Sequence, residues 1–497
     1  MTITLKNVSF SYTESLDDAV IKNLNFEIKS GECVVLVGES GCGKTTISKL
    51  INGLIPLYQS GTMAGDVLLV DKNTADMTLA EISRHVDSVF QNPRSQFFNI
   101  DTDSEIAFGC ENLGMDPEEI RERMNRVVKD FHIEHLAGRN IFHLSGGEKQ
   151  KIACASVSAI DPEIFVLDEP SANLDLKTVA DLAGIIKFWK SRGKTVVIVE
   201  HRIHYLRDIA DRICYVKDGC IAHEWTPAEL EAKGPEYAAS LGLRCMNLKQ
   251  LSETEDARLR GHDKKGFIAT LNSFQGKQSL KESLLFSDLH FAYNRKFPVL
   301  DIPELSLPRN RITAIIGHNG AGKSTLAQVL CGLRGTWRQK RKARKYGAYL
   351  IMQDVNHQLF TESVLDEILL GMNPQDENSA LEILERLNLK EYASCHPMAL
   401  SGGQKQRVAI GSGVSSGREI VVFDEPTSGL DYRQMLAVSA TLKKLAASGK
   451  TLLVITHDPE FILNCCQSVI RMEHGKIAEQ YLLQGNQEKL IKSMMNA

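Results

Sequence analysis

Two stretches, GESGCGKT at 38–45 and GHNGAGKS at 317–324, set glycines, a lysine and a hydroxyl residue at the same offsets. Gly38, Gly41 and Gly43, and likewise Gly317, Gly320 and Gly322, let backbone N–H groups close around phosphate oxygens that side chains would block. Lys44 and Lys323 then neutralise phosphate charge, and the hydroxyls of Thr45 and Ser324 are placed to hold Mg2+. Glu39, Ser40, Cys42 and Thr46 in one stretch, with His318, Asn319, Ala321 and Thr325 in the other, complete the two cradles by position. Each loop follows a short β-branched run, CVVLVG (33–38) or ITAIIG (312–317), and the first leads into the helical pattern TTISKLING. Strand, glycine loop and helix in that order are the setting in which such a loop binds phosphate instead of merely turning the chain.

Further along, Asp168 and Asp424 each end an apolar run, IFVLDEP (164–170) and IVVFDEP (420–426), where a carboxylate can reach the metal directly or through water. Glu169 and Glu425 follow at once and are the candidates to polarise an attacking water. His201 and His457 follow the strand-like runs TVVIVE and TLLVIT and point to γ-phosphate sensing. Gln91 and Gln353 stand in a peculiar repeated phrase, FQNPRSQFF at 90–98 and MQDVNHQLF at 352–360, with a second glutamine, Gln96 or Gln358, five residues on. The first glutamine of each phrase is positioned to reach Mg2+ and the attacking water while the loop behind it moves.

These residues keep step. Ser145 to Asp168 and Ser401 to Asp424 are both 23 positions, and Asp168 to His201 and Asp424 to His457 are both 33. Independent short motifs would not hold such a lock, so one unit is written twice. The second copy is shorter upstream, with 78 positions from Lys323 to Ser401 against 101 from Lys44 to Ser145. Most of the loss falls before the first glutamine, in the part that carries the basic run RQKRKARK (338–345). That run reads first as a solvated loop, with an anionic membrane surface as the main alternative and nucleic acid as a minor one.

Length and composition fit this organisation. A chain of 497 residues exceeds one ordinary core, and 43% hydrophobic residues with mixed charge describe a globular protein, while a net charge of −4 argues neither for nor against a nucleic-acid partner. No run of eighteen apolar residues is present, and MTITLKNVSFSY lacks a secretory pattern. Eleven cysteines without a C-x-x-C pair suit reduced thiols, and adjacent Cys465 and Cys466 read as packing. The expected domains are 1–232 and 283–497, joined by a polar, charge-rich linker at 233–282 with room for a short helix.

LSGGEKQ (144–150) and LSGGQKQ (400–406) resemble the signature of ATP-binding cassette (ABC) ATPases, and the resemblance covers nearly all the chain outside the linker. It implies an α/β fold of two P-loop NTPase domains in tandem, each a mixed β-sheet core with a helical subdomain, packed head to tail. It implies ATP and Mg2+ as cofactors, with each ATP between one P-loop and the opposite signature. One site would then join Lys44, Thr45, Gln91, Asp168, Glu169 and His201 to Ser401, Gly402, Gly403 and Gln404. The other would join Lys323, Ser324, Gln353, Asp424, Glu425 and His457 to Ser145, Gly146, Gly147 and Glu148. A serine and two glycines opening a helix offer N–H groups and a dipole to the γ-phosphate. Tyr12 and Tyr293 match the aromatic that stacks on adenine in the family, the plain alternative being a strand tyrosine. SANLD (171–175) and SGLD (428–431) match the loop through which the sites communicate. Both sites look able to hydrolyse ATP.

Three readings of the work done compete: the motor of a membrane transporter, a soluble tandem protein acting on ribosomes, and a fused sugar-importer ATPase. The linker lacks a sustained helical period, no iron–sulfur or zinc cysteine cluster occurs, and the second P-loop is intact, which favours the first. FQNPRSQFF and MQDVNHQLF resemble the Q-loops of energy-coupling factor (ECF) transporter ATPases, although Arg94–Ser95 and Val355–Asn356 replace the acidic residues common there. That resemblance implies a transmembrane coupling protein and a small substrate-binding membrane protein as partners, uptake of a vitamin or metal ion, and a place on the cytoplasmic face of the cell membrane. No nucleic-acid partner is expected. By resemblance Gln96, Gln358 and the apolar pairs after them would face the coupling protein; the plain alternative is a loop anchor with buried aromatics.

Overall fold

The computed structural model describes residues 3–172, 174–251, 283–294, 297–335, 340 and 347–495. The chain divides into two compact units, Met1–Leu251 with Gly429–Arg433, and Ser252–Ser428 with Gln434–Ala497.

The first unit contains β1 (Ile3–Ser11), β2 (Ile21–Ile28), β3 (Cys33–Val37), β4 (Thr62–Leu69), β5 (Lys72–Asn73) and β6 (Val86–Val89). It continues with β7 (Ile164–Asp168), β8 (Thr195–Val199), β9 (Arg212–Lys217) and β10 (Cys220–Trp225). They make an antiparallel sheet in the order β2-β1-β4-β5 and a mixed one in the order β10-β9-β3-β8-β7-β6. In the mixed sheet only β10 runs antiparallel to its neighbour. All five residues of β3 and of β8 are buried, as expected of central strands covered on both faces. Helix α1 (Lys44–Ile51) packs between the two sheets, with Ile47, Leu50 and Ile51 in their shared core. A second core lies on the other face of the mixed sheet under α2 (Thr102–Asn112) and α3 (Gly146–Ile160).

Register decides where chemistry can happen. Val199 of β8 sits beside Leu36 of β3 and beside Asp168 of β7. The loops leaving β3, β7 and β8 therefore open at one carboxyl edge of three adjacent strands, where open α/β sheets bind ligands.

The packed body of this unit continues past 232. Helix α4 (Gly234–Ser240) and the turn after it place Ala238, Leu243 and Met246 in the same core as Trp225 and Leu230. The stretch read as the start of a linker is thus folded chain as far as Leu251. Nine of the nineteen residues of 233–251 are apolar but closely spaced without a long stripe, and the polar composition of 233–282 as a whole hides them. The remainder, 252–282, lies outside the described residues.

In the second unit β11 (Ser283–Asn294) and β12 (Phe297–Pro308) form an antiparallel pair. A mixed sheet follows, made of β13 (Ile312–Ile316), β14 (Ala348–Ile351), β15 (Ile420–Asp424), β16 (Thr451–Ile455), β17 (Ser468–Glu473) and β18 (Lys476–Leu482). Its order is β14-β15-β16-β13-β17-β18, the same arrangement as in the first unit. Ile455 again lies beside both Ile315 and Asp424. Helices α5 (Lys323–Leu330), α6 (Val364–Leu370), α7 (Gly402–Ser415) and α8 (Pro459–Cys465) complete what the site needs. The region shortened in this copy is the one that holds β4 and β5 in the first. Within it, 336–339 and 341–346 lie outside the described residues, so the basic run, apart from Lys340, does too. Cys465 and Cys466 are buried with their sulfurs 3.9 Å apart, as packing thiols. No helix among the described residues is long and apolar enough to cross a membrane.

Candidate functional site

The glycine loops have the backbone their composition predicts. Gly38 has φ +150°, and a Cβ there would lie 2.4 Å from the carbonyl oxygen of Val216. Gly317 repeats this, with φ +146° and Met472 O at 2.3 Å. These glycines close the loop directly against the neighbouring strand. Gly43 and Gly322, in the left-handed region, cap α1 and α5, whose first residues are Lys44 and Lys323. Lys44 Nζ donates to the carbonyls of Gly38 (2.9 Å) and Glu39 (2.7 Å). Lys323 Nζ donates to Gly317 (2.7 Å) and His318 (2.8 Å). Each ammonium is thus stored against its own loop, among N–H groups at a helix start.

The next shell is the acidic edge. The Thr45 hydroxyl donates to Asp168 Oδ1 at 3.4 Å. Burial, and then the charge of Glu169, push the Asp168 carboxyl up to about 6. Asp424 is likewise raised by burial, against the pull of its hydrogen bond from Ser324 and the charge of Lys323. A buried carboxylate beside a hydroxyl, with its charge disfavoured, fits Mg2+, whose charge would compensate that burial. Among the described residues no group of three or more His, Cys, Asp or Glu could hold a metal.

Glu169 and Glu425 have φ of +45° and +48°, a left-handed conformation uncommon for such residues. Each is fixed by its own N–H, Glu169 to Val199 O (2.8 Å) and Glu425 to Ile455 O (2.9 Å). The bend aims each carboxylate back over the strand edge. In the first unit Gln91 Nε2 donates to Glu169 Oε2 at 2.7 Å, and His201 Nε2 lies 3.3 Å from Oε1. One carboxylate is therefore held between an amide and an imidazole. In the second unit His457 Nε2 lies 3.5 Å from Glu425 Oε1, and Gln353 follows β14 in the corresponding loop. Tyr12 and Tyr293 stand 45% and 58% exposed beside these loops, their hydroxyls 3.1 Å from Thr46 Oγ1 and 3.3 Å from Thr325 Oγ1.

The signature residues open α3 and α7, and both helices begin with a capping box. Ser145 N donates to Glu148 Oε2 (2.7 Å) while Glu148 N donates to Ser145 Oγ (3.3 Å). Ser401 and Gln404 repeat the exchange. The fifth residue of LSGGE and LSGGQ therefore has a structural task, legible from the S-x-x-E/Q spacing. Gly146, Gly147, Gly402 and Gly403 form the first turns.

The double-glutamine loops resolve into three parts. Gln96 takes a hydrogen bond from Phe90 N (3.1 Å) and gives one to Ser88 O (3.2 Å). Gln358 takes one from Met352 N (3.0 Å) and donates to Leu350 O (3.1 Å) and the Tyr349 hydroxyl (3.0 Å). The second glutamines are loop staples, the plainer alternative of the two. The apolar pairs divide: Phe97 is half-buried and Leu359 buried, but Phe98 and Phe360 are 75% and 74% exposed. Buried glutamates present them. Glu105 Oε2 accepts from Phe98 N (3.0 Å) and Asn99 N (2.8 Å). Glu367 Oε2 accepts from Phe360 N and Thr361 N, both at 3.2 Å. Glu105 and Glu367 had a signal in the sequence, since each stands seven residues after its phenylalanine. Beside Phe98, exposed Ile100 and Phe142 are brought together by the Asp101–Asn140 bridge and the bond from Ile141 N to Ile100 O.

Fold and residue sets together define two P-loop nucleotide-hydrolysing units in tandem. The family model described as ABC transporter matches residues 21–172 and 300–428. The chain is 42% identical over 487 residues, 96% of each chain, to a Treponema denticola protein provisionally named an ABC transporter ATP-binding protein. It is 32% identical over 503 residues, 96% of this chain and 90% of the relative, to YkoD of Bacillus subtilis, provisionally named an HMP/thiamine import ATP-binding protein. The archaeal ribosome recycling factor aABCE1, solved with the stalk protein aP1, aligns with TM-score 0.62 over 99% of this chain and 92% of that one, at 20% identity. That last likeness concerns the fold alone. The chain belongs to the ABC transporter family, as an ATP-binding, ATP-hydrolysing protein with two cassettes in one polypeptide.

Proposed function

We propose that the chain is the ATPase of an ECF-type importer, powering uptake of a vitamin or metal ion through separate membrane subunits on the cytoplasmic face of the membrane. The observation that carries this reading is the Q-loop of each unit, where a glutamine staple and a buried glutamate hold an outward phenylalanine. An aromatic kept in water by two dedicated polar anchors suits a protein partner better than a solvent-facing loop. The import function in the name of YkoD supports the same direction. The coupling protein would take these aromatics, and a second membrane protein would bind the substrate.

In this reading ATP and Mg2+ lie at each P-loop. The backbone of 38–43 and of 317–322 binds phosphate, and Lys44 and Lys323 swing from loop carbonyls to phosphate oxygens. Thr45 with Asp168, and Ser324 with Asp424, hold Mg2+. Glu169 and Glu425 orient water, with Gln91 and His201, or Gln353 and His457, positioned around them. Tyr12 and Tyr293 stack on adenine. Ser401, Gly402, Gly403 and Gln404, and likewise Ser145, Gly146, Gly147 and Glu148, offer helix-start N–H groups to a γ-phosphate.

Affinity purification of the tagged chain from detergent-solubilised membranes tests the proposal. Two polytopic membrane proteins in fixed ratio to the chain are expected. Cosedimentation with ribosomes and no membrane protein would favour the ribosome-acting alternative, and a single pair of sugar-permease subunits the fused sugar-importer one.

A further inference from the structure

The residues around the two histidines are not copies of each other. The first unit reads Glu200–His201–Arg202, and the second Thr456–His457–Asp458. Each has a carboxylate at most 2% exposed, but on opposite sides of the histidine. Glu200 Oε2 accepts from the backbone N–H of His201 (2.7 Å) and of Arg202 (3.1 Å). Its Oε1 accepts from Ser171 N (3.2 Å) and the Tyr205 hydroxyl (3.0 Å). One buried carboxylate thereby ties the histidine loop to the residue three positions beyond Asp168. In the second unit Asp458 Oδ2 accepts from the Thr427 hydroxyl (3.2 Å), and Thr427 is three positions beyond Asp424. Asp458 Oδ1 caps α8 through Phe461 N (3.1 Å), while Asp458 N donates to the Thr456 hydroxyl (3.1 Å). Where the second unit has Asp458, the first has Arg202, whose guanidinium donates to Leu174 O (3.3 Å) on the same loop.

The two units thus build one tie, from the histidine loop to the loop after the acidic pair, with the carboxylate transposed across the histidine. A hydrogen-bonded buried carboxylate is costly to remove, because its donors are left without an acceptor. The first tie grips the histidine's own N–H, whereas the N–H of His457 donates to Glu425 Oε2 (3.4 Å) and Asp458 Oδ1 caps α8.

We propose that Glu200 is the positioning residue for His201, doing for the first ATP site what Asp458 does for the second, so that the two sites are held by non-equivalent ties. This rests on the reading of His201 and His457 as site residues.

Steady-state ATP hydrolysis by the full chain tests it, with nucleotide binding and melting measured alongside. Glu200→Thr should cut kcat to half or less, with KM for ATP within twofold of the parent. Glu200→Thr combined with Arg202→Asp, which rebuilds the arrangement of the second unit, should regain most of that loss. The mirror pair, Thr456→Glu with Asp458→Arg, should likewise outperform Asp458→Arg alone and decides the matter if the first pair misfolds. A folded Glu200→Thr chain with unchanged kcat, or transposed pairs no better than their single variants, would overturn the proposal. His201→Ala separates the two levels: if it leaves kcat unchanged, the reading of the histidine fails. If it lowers kcat while Glu200→Thr does not, only the positioning role fails.

Discussion

Glu105→Gln offers the sharpest perturbation of the proposed coupling loop, because it changes one atom type at a buried anchor. The Glu105 carboxylate is 3% exposed and accepts from two consecutive backbone N–H groups, those of Phe98 and Asn99. Charge-assisted hydrogen bonds of this kind contribute about 1.5–3 kcal/mol each. Both N–H groups donate to one oxygen, Oε2, so glutamine can keep a carbonyl oxygen there but loses the charge that strengthens both bonds. A local loss of about 3 kcal/mol corresponds to roughly a hundredfold faster opening of the 97–100 segment, at 1.4 kcal/mol per factor of ten. Hydrogen exchange of peptides covering 96–100 reads this directly, and the peptide over 38–45 serves as the unaffected control. Glu367→Gln should act alike at Phe360 and Thr361, somewhat more weakly given its 3.2 Å bonds. Unchanged exchange at 96–100 in a folded Glu105→Gln chain would refute the anchoring role. Faster exchange at 38–45 of equal size would show a global effect instead.

Other perturbations bear on the remaining links. Glu169→Gln and Glu425→Gln should each lower turnover, on the order of a hundredfold for whichever site carries the flux, while ATP binding persists; one silent substitution would show unequal sites. Gly38→Ala should cost about 2–4 kcal/mol or abolish nucleotide binding, since its Cβ would stand 2.4 Å from Val216 O, and denaturant unfolding with a nucleotide-binding assay checks both. On β6, burial holds Asp87 up to about 7 against a hydrogen bond from Ser88 N. A folded-state value above the unfolded one means that stability falls as pH rises from about 4 to about 7. Asp87→Asn should therefore raise the melting midpoint most at pH 8, where the stability gain is about 4 kcal/mol at the upper limit, with the gain shrinking toward pH 4.

Much of the site was legible because phosphate chemistry constrains residue type and spacing together. The glycine loops, the acidic pair and the histidine each end a buried strand, and a fixed offset between strands is what the 23- and 33-position locks record. The left-handed backbone of Glu169 and Glu425 was not legible, since a conformation imposed by the strand edge leaves no mark on side-chain type. Gln96 and Gln358 were placed between two alternatives because an amide can staple a loop or face a partner with the same residue. Only hydrogen-bond partners distinguish them, and these made the phenylalanine the outward group. Residues 233–251 read as linker because a short helix followed by a turn gives no period, although their apolar residues pack in a core.

A photo-crosslinking residue at Phe98 or at Phe360, in chain expressed with its native membrane partners, tests the central claim most directly. The account expects each position to yield one discrete adduct with a polytopic membrane protein, lost when Glu105→Gln or Glu367→Gln loosens the corresponding loop. Adducts with ribosomal proteins, or none at all from chain that still hydrolyses ATP, would contradict it.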